Sequence, residues 1–326
     1  MKLHLNKELF NEAIRITAQQ MAIQPIYVEK DYWVTLVLHT LYHSAVKEEV
    51  IFKGGTSLSK CFGLIDRFSE DIDLVVLREE GDSGNKLTNK IKKISTLVSE
   101  LLPEVYIENI TQKMGMNRKT AHSYSKEFDG AFGQVRDVII VEATWLGYHE
   151  PYTIATVSSY VYQMMLTNHQ ESIALEYGLQ PFDVLALDPK RTVCEKIMSL
   201  VRFSYAENPI LDLSLKIRHT YDLHFLLRDK DLLAFFESQD FDALLNKVAQ
   251  DDVESYKNDN LWLQYHPNES WLFRDIEQSW NALKNSYTND FGTLVIGELP
   301  PEATIFETLT KIRKRMERIS WNIKLT

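Results

Sequence analysis

The hydrophobic positions of this chain follow two periods, and the period changes along its length. In residues 6–20 and 28–41 the apolar side chains recur every three or four positions, which predicts amphipathic helices. Short apolar or alternating runs, which predict strands, lie at 50–52, 72–76, 105–110, 123–128 and 135–145. Helical spacing returns at 87–102 and dominates in the last third of the chain.

This change of period predicts the fold class and the domain boundary. A chain of 326 residues is long enough to form two cores. We predict an α+β protein with a mixed β-sheet lobe and flanking helices at residues 1–185. A mostly helical C-terminal lobe is predicted at residues 186–326.

The turn after the first predicted strand carries the first candidate chemistry. Gly54-Gly55 lets the backbone turn sharply and leaves no side chain between it and a ligand. A helix is predicted from Ser57 onward, so its free N–H groups would face whatever lies over the glycines. Phosphate suits such a position, and Gly54, Gly55, Ser57 and Lys60 are the candidate nucleotide-binding residues.

The next predicted strand carries two aspartates. Asp71 and Asp73 are two positions apart, so they share one face of the strand and repel each other unless a cation lies between them. Mg²⁺ prefers carboxylate oxygens together with the phosphates of a nucleotide. Either motif alone is usually a turn or a solvated strand face. A phosphate-binding turn and an Asp-x-Asp strand one helix apart predict nucleotidyl transfer, with Ser69 as a further phosphate contact.

One more acid lies within an apolar strand. Glu142 interrupts the run 138–144, and a buried carboxylate is costly unless it is paired or binds a metal. Glu142 is therefore expected to be paired or to bind a metal. The alternatives are a strand-end acid that faces solvent, and Asp137 in its place.

The residues at 54–60 and 67–74 together resemble the nucleotidyltransferase signature of the AbiEii/AbiGii toxin family. This family belongs to the DNA polymerase β-like nucleotidyltransferase superfamily, which usually has Gly-Ser at the turn; Gly54-Gly55 matches the AbiEii branch. The resemblance implies attack of an acceptor hydroxyl on an NTP, with two Mg²⁺ ions held by Asp71 and Asp73. It also implies that Glu142 is a third carboxylate on the neighbouring strand.

Three further segments extend the resemblance. The run 28–34 is similar to the family's N-terminal region; its aromatic residues suit a core, and Glu29-Lys30-Asp31 is left open, with a role beside the nucleotide pocket as one option. Thr192 and Glu195 predict a capping box and a helix start at Thr192. The segment 191–196, which contains these two residues, is similar to a family motif, which implies that Lys196 neutralises the triphosphate; the alternative is a surface lysine.

The last of these segments, 218–223, contains Asp222. It resembles the family's final motif, and Asp222 is predicted as a catalytic residue. Two uses are open: a metal or substrate contact, or an acid that holds Lys196 or Arg218 in place.

Charge and composition restrict the partners. A net charge of −10 argues against broad nonspecific binding of nucleic acid. Seven basic residues could still form an RNA-facing strip or merely solvate the lobe: Lys86, Lys90, Lys92, Lys93, Lys113, Arg118 and Lys119. The two cysteines lack metal-type spacing, and neither a secretory signal nor a bilayer-spanning run is evident. We therefore expect no membrane partner and a cytoplasmic location.

The resemblance also implies a biological setting. It implies the toxin of a bacterial toxin–antitoxin or abortive-infection system, with a separately encoded antitoxin as partner. Relatives are described as GTP-binding or as tRNA-modifying nucleotidyltransferases, so an NTP substrate and an RNA acceptor, tRNA in particular, are expected. The alternatives are a GTP-binding regulator without turnover and a nucleotidyltransferase that acts on a small molecule.

Overall fold

The structure is a computed structural model that describes residues 1–130, 136–146, 149–254 and 260–325. By packing, the chain divides into two units. The first comprises Met1–Gly63, Phe68–Trp145 and Tyr152–Leu187, and the second comprises Leu64–Arg67, Leu146–Pro151 and Asp188–Thr326. The first unit holds a sheet with flanking helices and the second is built from helices, so the predicted fold class is confirmed.

The described residues of the first unit form one mixed sheet. Its strands are β1 (Val50–Lys53), β2 (Ile72–Val76), β3 (Glu104–Val105), β4 (Gln112–Lys113), β5 (Asn117–His122), β6 (Ile139–Thr144), β7 (Tyr152–Val157) and β8 (Phe182–Leu187). The order across the sheet is β3-β5-β6-β2-β1-β8-β7, and β4 pairs with β5. The pairs β2/β6 and β1/β8 are parallel, whereas the others are antiparallel. This order places β1, β2 and β6, which carry the candidate residues, side by side.

Helices cover one face of this sheet. They are α1 (Lys7–Met21), α2 (Pro25–Tyr42), α3 (Gly54–Lys60), α4 (Gly84–Leu101), α5 (Tyr160–Thr167) and α6 (Glu171–Glu176). The helix α2 is apolar almost all round and is buried along most of its length, as expected for a central core helix. Phe52, Leu74 and Val141 point from the sheet into the same core. Because side chains alternate along a strand, the residues between them face the other side.

The second unit consists of a further set of helices. They are α7 (Pro189–Phe203), α8 (Pro209–Leu215), α9 (Arg218–Leu226), α10 (Lys230–Glu237), α11 (Gln239–Glu254), α12 (Trp271–Arg274), α13 (Ile276–Asn285) and α14 (Glu302–Met316). The helix α7 packs against α9 and α11. None of the described helices combines the length and apolar content needed to cross a bilayer.

Two predicted strands are wrong. Residues 123–128 are not a strand, and the strand predicted at 105–110 is reduced to Glu104–Val105. The strand lies instead at Asn117–His122, where no strand is predicted from the sequence. The reason is a cross-strand pair, because Lys119 lies opposite Glu142 in β6. The predicted start of the strand 135–145, Val135, lies outside the described residues.

Two helix starts also differ from prediction. The helix α7 begins at Pro189, where Asp188 accepts a hydrogen bond from the Lys190 N–H at 2.8 Å, so the capping box at Thr192 is wrong. Proline suits the first helical position because it has no N–H to satisfy. The helix α3 begins at Gly54 and not at Ser57.

Candidate active site

The turn between β1 and α3 requires glycine. Gly54 has φ +81°, a conformation that L side chains rarely adopt. A Cβ atom placed on Gly54 would lie 2.3 Å from Oδ2 of Asp73. The backbone at Gly54 therefore packs directly against one of the two candidate metal ligands.

This contact predicts the effect of Gly54→Ala. The substitution adds backbone strain of about 1–2 kcal/mol. It also displaces the Asp73 carboxylate, and a displacement of about 1 Å at a catalytic group typically lowers the rate about 100-fold. Gly81→Ala is the matched control, because Gly81 has φ +86° and nothing lies within 4 Å of its added Cβ. We expect both variants to lose stability in urea unfolding and Gly54→Ala alone to lose nucleotidyl transfer. Equal activity of the two variants would contradict the contact.

Thr56 joins the turn to the Asp-x-Asp strand. Its hydroxyl donates to the backbone carbonyl of Asp71 at 2.7 Å and lies 2.9 Å from the hydroxyl of Ser69. The chain entering β2 is thus fixed to the first turn of α3. Ser69 belongs to this hydrogen-bonded group, next to Asp71. The side chain of Ser57 is buried, and because α3 begins at Gly54, the Ser57 N–H is the first that donates within the helix.

Four charged residues form a row across the sheet. In the strand register, Lys53 of β1 lies opposite Asp73 of β2, Asp73 lies opposite Glu142 of β6, and Glu142 lies opposite Lys119 of β5. They share the face opposite the helix-covered core. Lys119 Nζ donates to Glu142 Oε2 at 2.9 Å, and Asn117 Nδ2 donates to Glu142 Oε1 at 3.2 Å. The parallel pairing of β2 and β6 is what brings Asp73 beside Glu142, which are 69 positions apart in the sequence.

The two acids in the row have opposite pKa shifts. Burial raises the pKa of Asp73 to about 6, and the negative charges of Asp71 and Glu142 add to the shift. Burial would also raise the pKa of Glu142, but the charge and hydrogen bond of Lys119 outweigh it and lower that pKa. The negative charge of Asp73 is therefore disfavoured in the folded protein, chiefly by burial and further by the two neighbouring acids.

The carboxylates of Asp71 and Asp73 form a donor set that suits a divalent cation. Asp71 and Asp73 offer carboxylate oxygens, the donors that Mg²⁺ prefers. A cation would offset the repulsion by Asp71 and Glu142, which adds to the effect of burial on the pKa of Asp73. Within the described ranges, no three His, Cys, Asp or Glu side chains converge closely enough to enclose a metal as they stand. Glu142 is bonded to Lys119, so it would have to exchange this partner for the metal. The aspartate pair fits a cation, and Glu142 lies next to it in the row.

The alternative third acid does not belong to this row. Asp137 precedes β6, and its carboxylate is 58 % exposed and pairs with Lys126 at 2.8 Å. Glu142 lies inside β6 and is partly buried.

The residues at 29–31 have structural partners. Lys30 pairs with Glu70 at 2.8 Å, and both side chains are buried. Asp31 forms a buried ion pair with Lys60 and also accepts the Tyr160 N–H at 2.8 Å. Lys60, a candidate nucleotide-binding residue, is thus held below the surface at the end of α3.

Glu29 has a different environment. It accepts the backbone N–H groups of Glu127 and Phe128 at 2.7 and 3.3 Å, and burial raises its pKa to about 7. The carboxylate therefore fixes the chain that follows β5, which is a structural use of this motif residue.

The second unit contains a buried ionic network around Asp222. Arg67 donates to both oxygens of Asp222, with Nε–Oδ1 2.6 Å and Nη2–Oδ2 2.8 Å, and Lys196 Nζ donates to Oδ2 at 2.6 Å. His219 Nδ1 lies 3.4 Å from Lys196 Nζ. Lys196 is 5 % exposed, so its interpretation as a surface lysine is wrong.

The charge state of this network follows from its contacts. Burial alone would raise the pKa of Asp222, but Arg67 and Lys196 hold it well below its usual range. Burial, with the nearby positive charge of Lys196, lowers the pKa of His219 well below its ordinary value. Asp222 is fully buried and both of its oxygens are occupied, which favours the role of an acid that holds Lys196 in place over that of a metal contact.

Several partners in these contacts were missed by sequence reasoning. Arg67 lies within the motif 67–74 but reaches an acid 155 positions away, and Lys119 of β5 reaches Glu142 on the adjacent strand β6. Arg136 Nη1 lies 3.5 Å from Asp71 Oδ1. If the strand register is known, a basic residue opposite an acid predicts a cross-strand ion pair, and this signal would have identified Lys119 as the partner of Glu142.

A mixed sheet that sets a glycine turn against an Asp-x-Asp strand, with a third acid on the neighbouring strand, is typical of a nucleotidyltransferase. The family profile described as "Nucleotidyl transferase AbiEii toxin, Type IV TA system" matches residues 36–303, and the chain belongs to this family. The resemblance predicted from the motifs is confirmed. The protein is therefore a nucleotidyltransferase, and membership implies an NTP substrate and an antitoxin partner. Enzymes of this class generally use divalent metal ions.

A solved structure is similar in fold. It is MenT4, a nucleotidyltransferase toxin from Mycobacterium tuberculosis H37Rv, with a TM-score of 0.56 and 14 % sequence identity. The match covers 94 % of this chain and 90 % of MenT4. No curated protein sequence matches the chain significantly.

Proposed function

We propose that the protein transfers the nucleoside monophosphate of an NTP to an RNA acceptor, tRNA in particular, in an Mg²⁺-dependent reaction. The observation that carries this proposal is the row in which Asp73 and Glu142 lie in register on parallel strands, with Gly54 packed against Asp73. Among the NTPs, GTP is the first to test, because relatives in this family are described as GTP-binding.

The metal ligands in this proposal are Asp71, Asp73 and Glu142. Two Mg²⁺ ions, when bound, supply positive charge that activates the acceptor hydroxyl and stabilises the charge that develops on the phosphates. The acceptor oxygen forms a bond to the α-phosphorus, the bond to the β-phosphate oxygen breaks, and pyrophosphate leaves. Glu142 either completes the metal site or accepts the proton of the acceptor hydroxyl.

The nucleotide contacts follow from the turn. The backbone N–H groups of Gly54 and Gly55 face the phosphates, because the first amides of a helix have no partner within it. Ser57 is the fourth residue of α3, so its N–H donates within the helix and its buried side chain supports the turn from inside. Ser69 lies beside Asp71 and contributes its hydroxyl. Lys60 acts through α3, whose C-terminal end it anchors to Asp31.

Lys196 and Asp222 complete the assignment. Lys196 neutralises the triphosphate, and Asp222, through its 2.6 Å contact with Lys196, holds the ammonium group in position. Asp222 is then a positioning residue and makes no contact with the metal.

The basic strip predicted from the sequence offers an RNA acceptor less positive charge than expected. Four of the seven residues in the predicted basic strip are neutralised by neighbouring acids, so the strip alone supplies little net charge: Lys86, Lys90, Lys113 and Lys119. Lys92 and Lys93 are exposed. In the second unit, a groove of about 420 Å³ is lined in part by Lys314 and Arg318, and its other basic residues, Lys311 and Arg315, pair with Glu237 and Asp242.

The proposal predicts the product of a labelling reaction. The purified protein is incubated with MgCl₂, total cellular RNA and each of the four NTPs, labelled in turn at the α-phosphate. We expect label on tRNA-sized RNA and none with Asp71→Ala, and we expect RNA binding to weaken as salt increases. Label found solely on small molecules or on the protein itself would overturn the RNA acceptor.

A further inference from the structure

A buried ion pair lies directly behind the Asp-x-Asp strand. Lys30 of α2 and Glu70, which precedes Asp71, approach to 2.8 Å, and their side chains are 0 % and 9 % exposed. Burying two charges is costly unless further hydrogen bonds satisfy them. The additional partner of both groups is the same residue, Arg136.

The ion pair binds the backbone of Arg136 on both sides. Glu70 Oε1 accepts the Arg136 N–H at 3.0 Å, and Lys30 Nζ donates to the Arg136 carbonyl. A backbone held at both its donor and its acceptor by a buried pair has little freedom to shift. The position of the Arg136 side chain is therefore fixed at its base.

The guanidinium of Arg136 extends from this base to the candidate metal site. Its Nη1 lies 3.5 Å from Oδ1 of Asp71, and the Arg136 side chain is 42 % exposed. Ion pairs of this exposure contribute about 0–1 kcal/mol, so a cation or a phosphate can displace the contact at little cost. A guanidinium also matches phosphate oxygens in a bidentate geometry.

We propose that Arg136 is a substrate-binding residue that contacts the phosphates of the NTP, and that Lys30 and Glu70 position it. In the absence of nucleotide the guanidinium rests on Asp71, and it moves to the phosphates when the metal and the NTP bind. This inference rests on the proposed nucleotide site at Asp71 and Asp73. It gives the Glu29-Lys30-Asp31 motif a functional use at Lys30.

The first test is the equilibrium binding of each NTP, with MgCl₂, to the full-length protein. We expect Arg136→Gln to weaken binding of the substrate NTP by at least about 10-fold, and Arg136→Lys to recover part of the loss because it keeps the charge. Lys126→Gln is the matched control, because Lys126 has a similar exposure of 37 % and also pairs with an acid, Asp137. Equal affinity of Arg136→Gln and Lys126→Gln would overturn the inference.

A second test addresses the positioning role. The double variant Lys30→Met with Glu70→Leu replaces the ion pair by apolar groups of similar size, a change that buried pairs often tolerate. We expect it to fold, as judged by a cooperative thermal transition, and to weaken NTP binding. Combined with Arg136→Gln it should cause no further loss, because the three residues act as one unit. Losses that simply add would overturn the positioning role.

These outcomes are distinct from failure of the proposed function. If the wild type binds an NTP and Asp73→Asn abolishes transfer, the site stands, and Arg136 is judged by the affinities alone. If the wild type binds none of the four NTPs, both the nucleotide site and the role of Arg136 are overturned.

Discussion

Asp73→Asn should abolish nucleotidyl transfer and at the same time make the metal-free protein more stable at neutral pH. The pKa of Asp73 is raised to about 6 by burial, Asp71 and Glu142. Its ionised form is therefore disfavoured in the folded state, by roughly 1–3 kcal/mol at pH 7. An asparagine removes the charge, keeps the shape and removes a metal ligand.

The pH dependence of this effect has a definite sign. Between the pKa of an unfolded aspartate, near 4, and about 6, the folded state binds more protons than the unfolded state. The contribution of Asp73 to stability therefore falls as the pH rises through this window. Asp73→Asn lacks this dependence, so its advantage over the wild type should be absent near pH 4 and complete above pH 6.

Urea unfolding of the metal-free proteins at several pH values measures this difference. Asp183→Asn is the matched control, since Asp183 is an exposed aspartate in strand β8 of the same sheet. It should change neither the transfer rate nor the pH profile. Addition of Mg²⁺ should stabilise the wild type and Asp183→Asn but not Asp73→Asn. A variant at Asp73 that remains active would contradict the metal assignment.

Asp222→Ala should cause the largest loss of stability among these substitutions. It leaves the cationic groups of Arg67 and Lys196 buried without their shared carboxylate, and removal of one member of a buried ionic group typically costs about 3–5 kcal/mol. Asp240→Ala, at an exposed acid in α11, should change stability by at most about 0.5 kcal/mol. The free energy of unfolding in urea distinguishes the two.

The same network determines how the free energy of unfolding changes at acidic pH. Because the pKa of Asp222 is held well below its usual range, its contribution is present above the unfolded pKa near 4 and is lost as the pH falls below that value. The wild type should therefore lose stability below about pH 4 more steeply than Asp222→Ala. Parallel curves for the two proteins in this range would contradict the charge state assigned to Asp222.

The parts of the site that are local in sequence were predictable. Gly54 and the two aspartates can be recognised by residue type and spacing, and Glu142 can be recognised as the one acid in an apolar run. Each of these signals needs only the periodicity of a strand or the backbone freedom of glycine.

The contacts that hold these residues depend on tertiary pairing, which periodicity does not encode. Arg67 meets Asp222, and Lys30 meets Glu70, through packing between distant segments. The strand β5 was not predicted for the same reason, because Lys119 gains its partner, Glu142 of β6, only when the two strands lie side by side. The start of α7 had a usable signal, Asp188 followed by Pro189, which the competing Thr192 motif obscured.

The most direct test of nucleotidyl transfer at this site compares NTP labelled at the α-phosphorus with NTP labelled at the γ-phosphorus. The wild type is incubated with MgCl₂ and tRNA, in parallel with Asp73→Asn and Asp183→Asn, and both the RNA and the released pyrophosphate are analysed. We expect α-label to enter the RNA and γ-label to appear in pyrophosphate, with the wild type and Asp183→Asn alone. Entry of γ-label into the RNA, or equal transfer by Asp73→Asn, would contradict nucleotidyl transfer at this site.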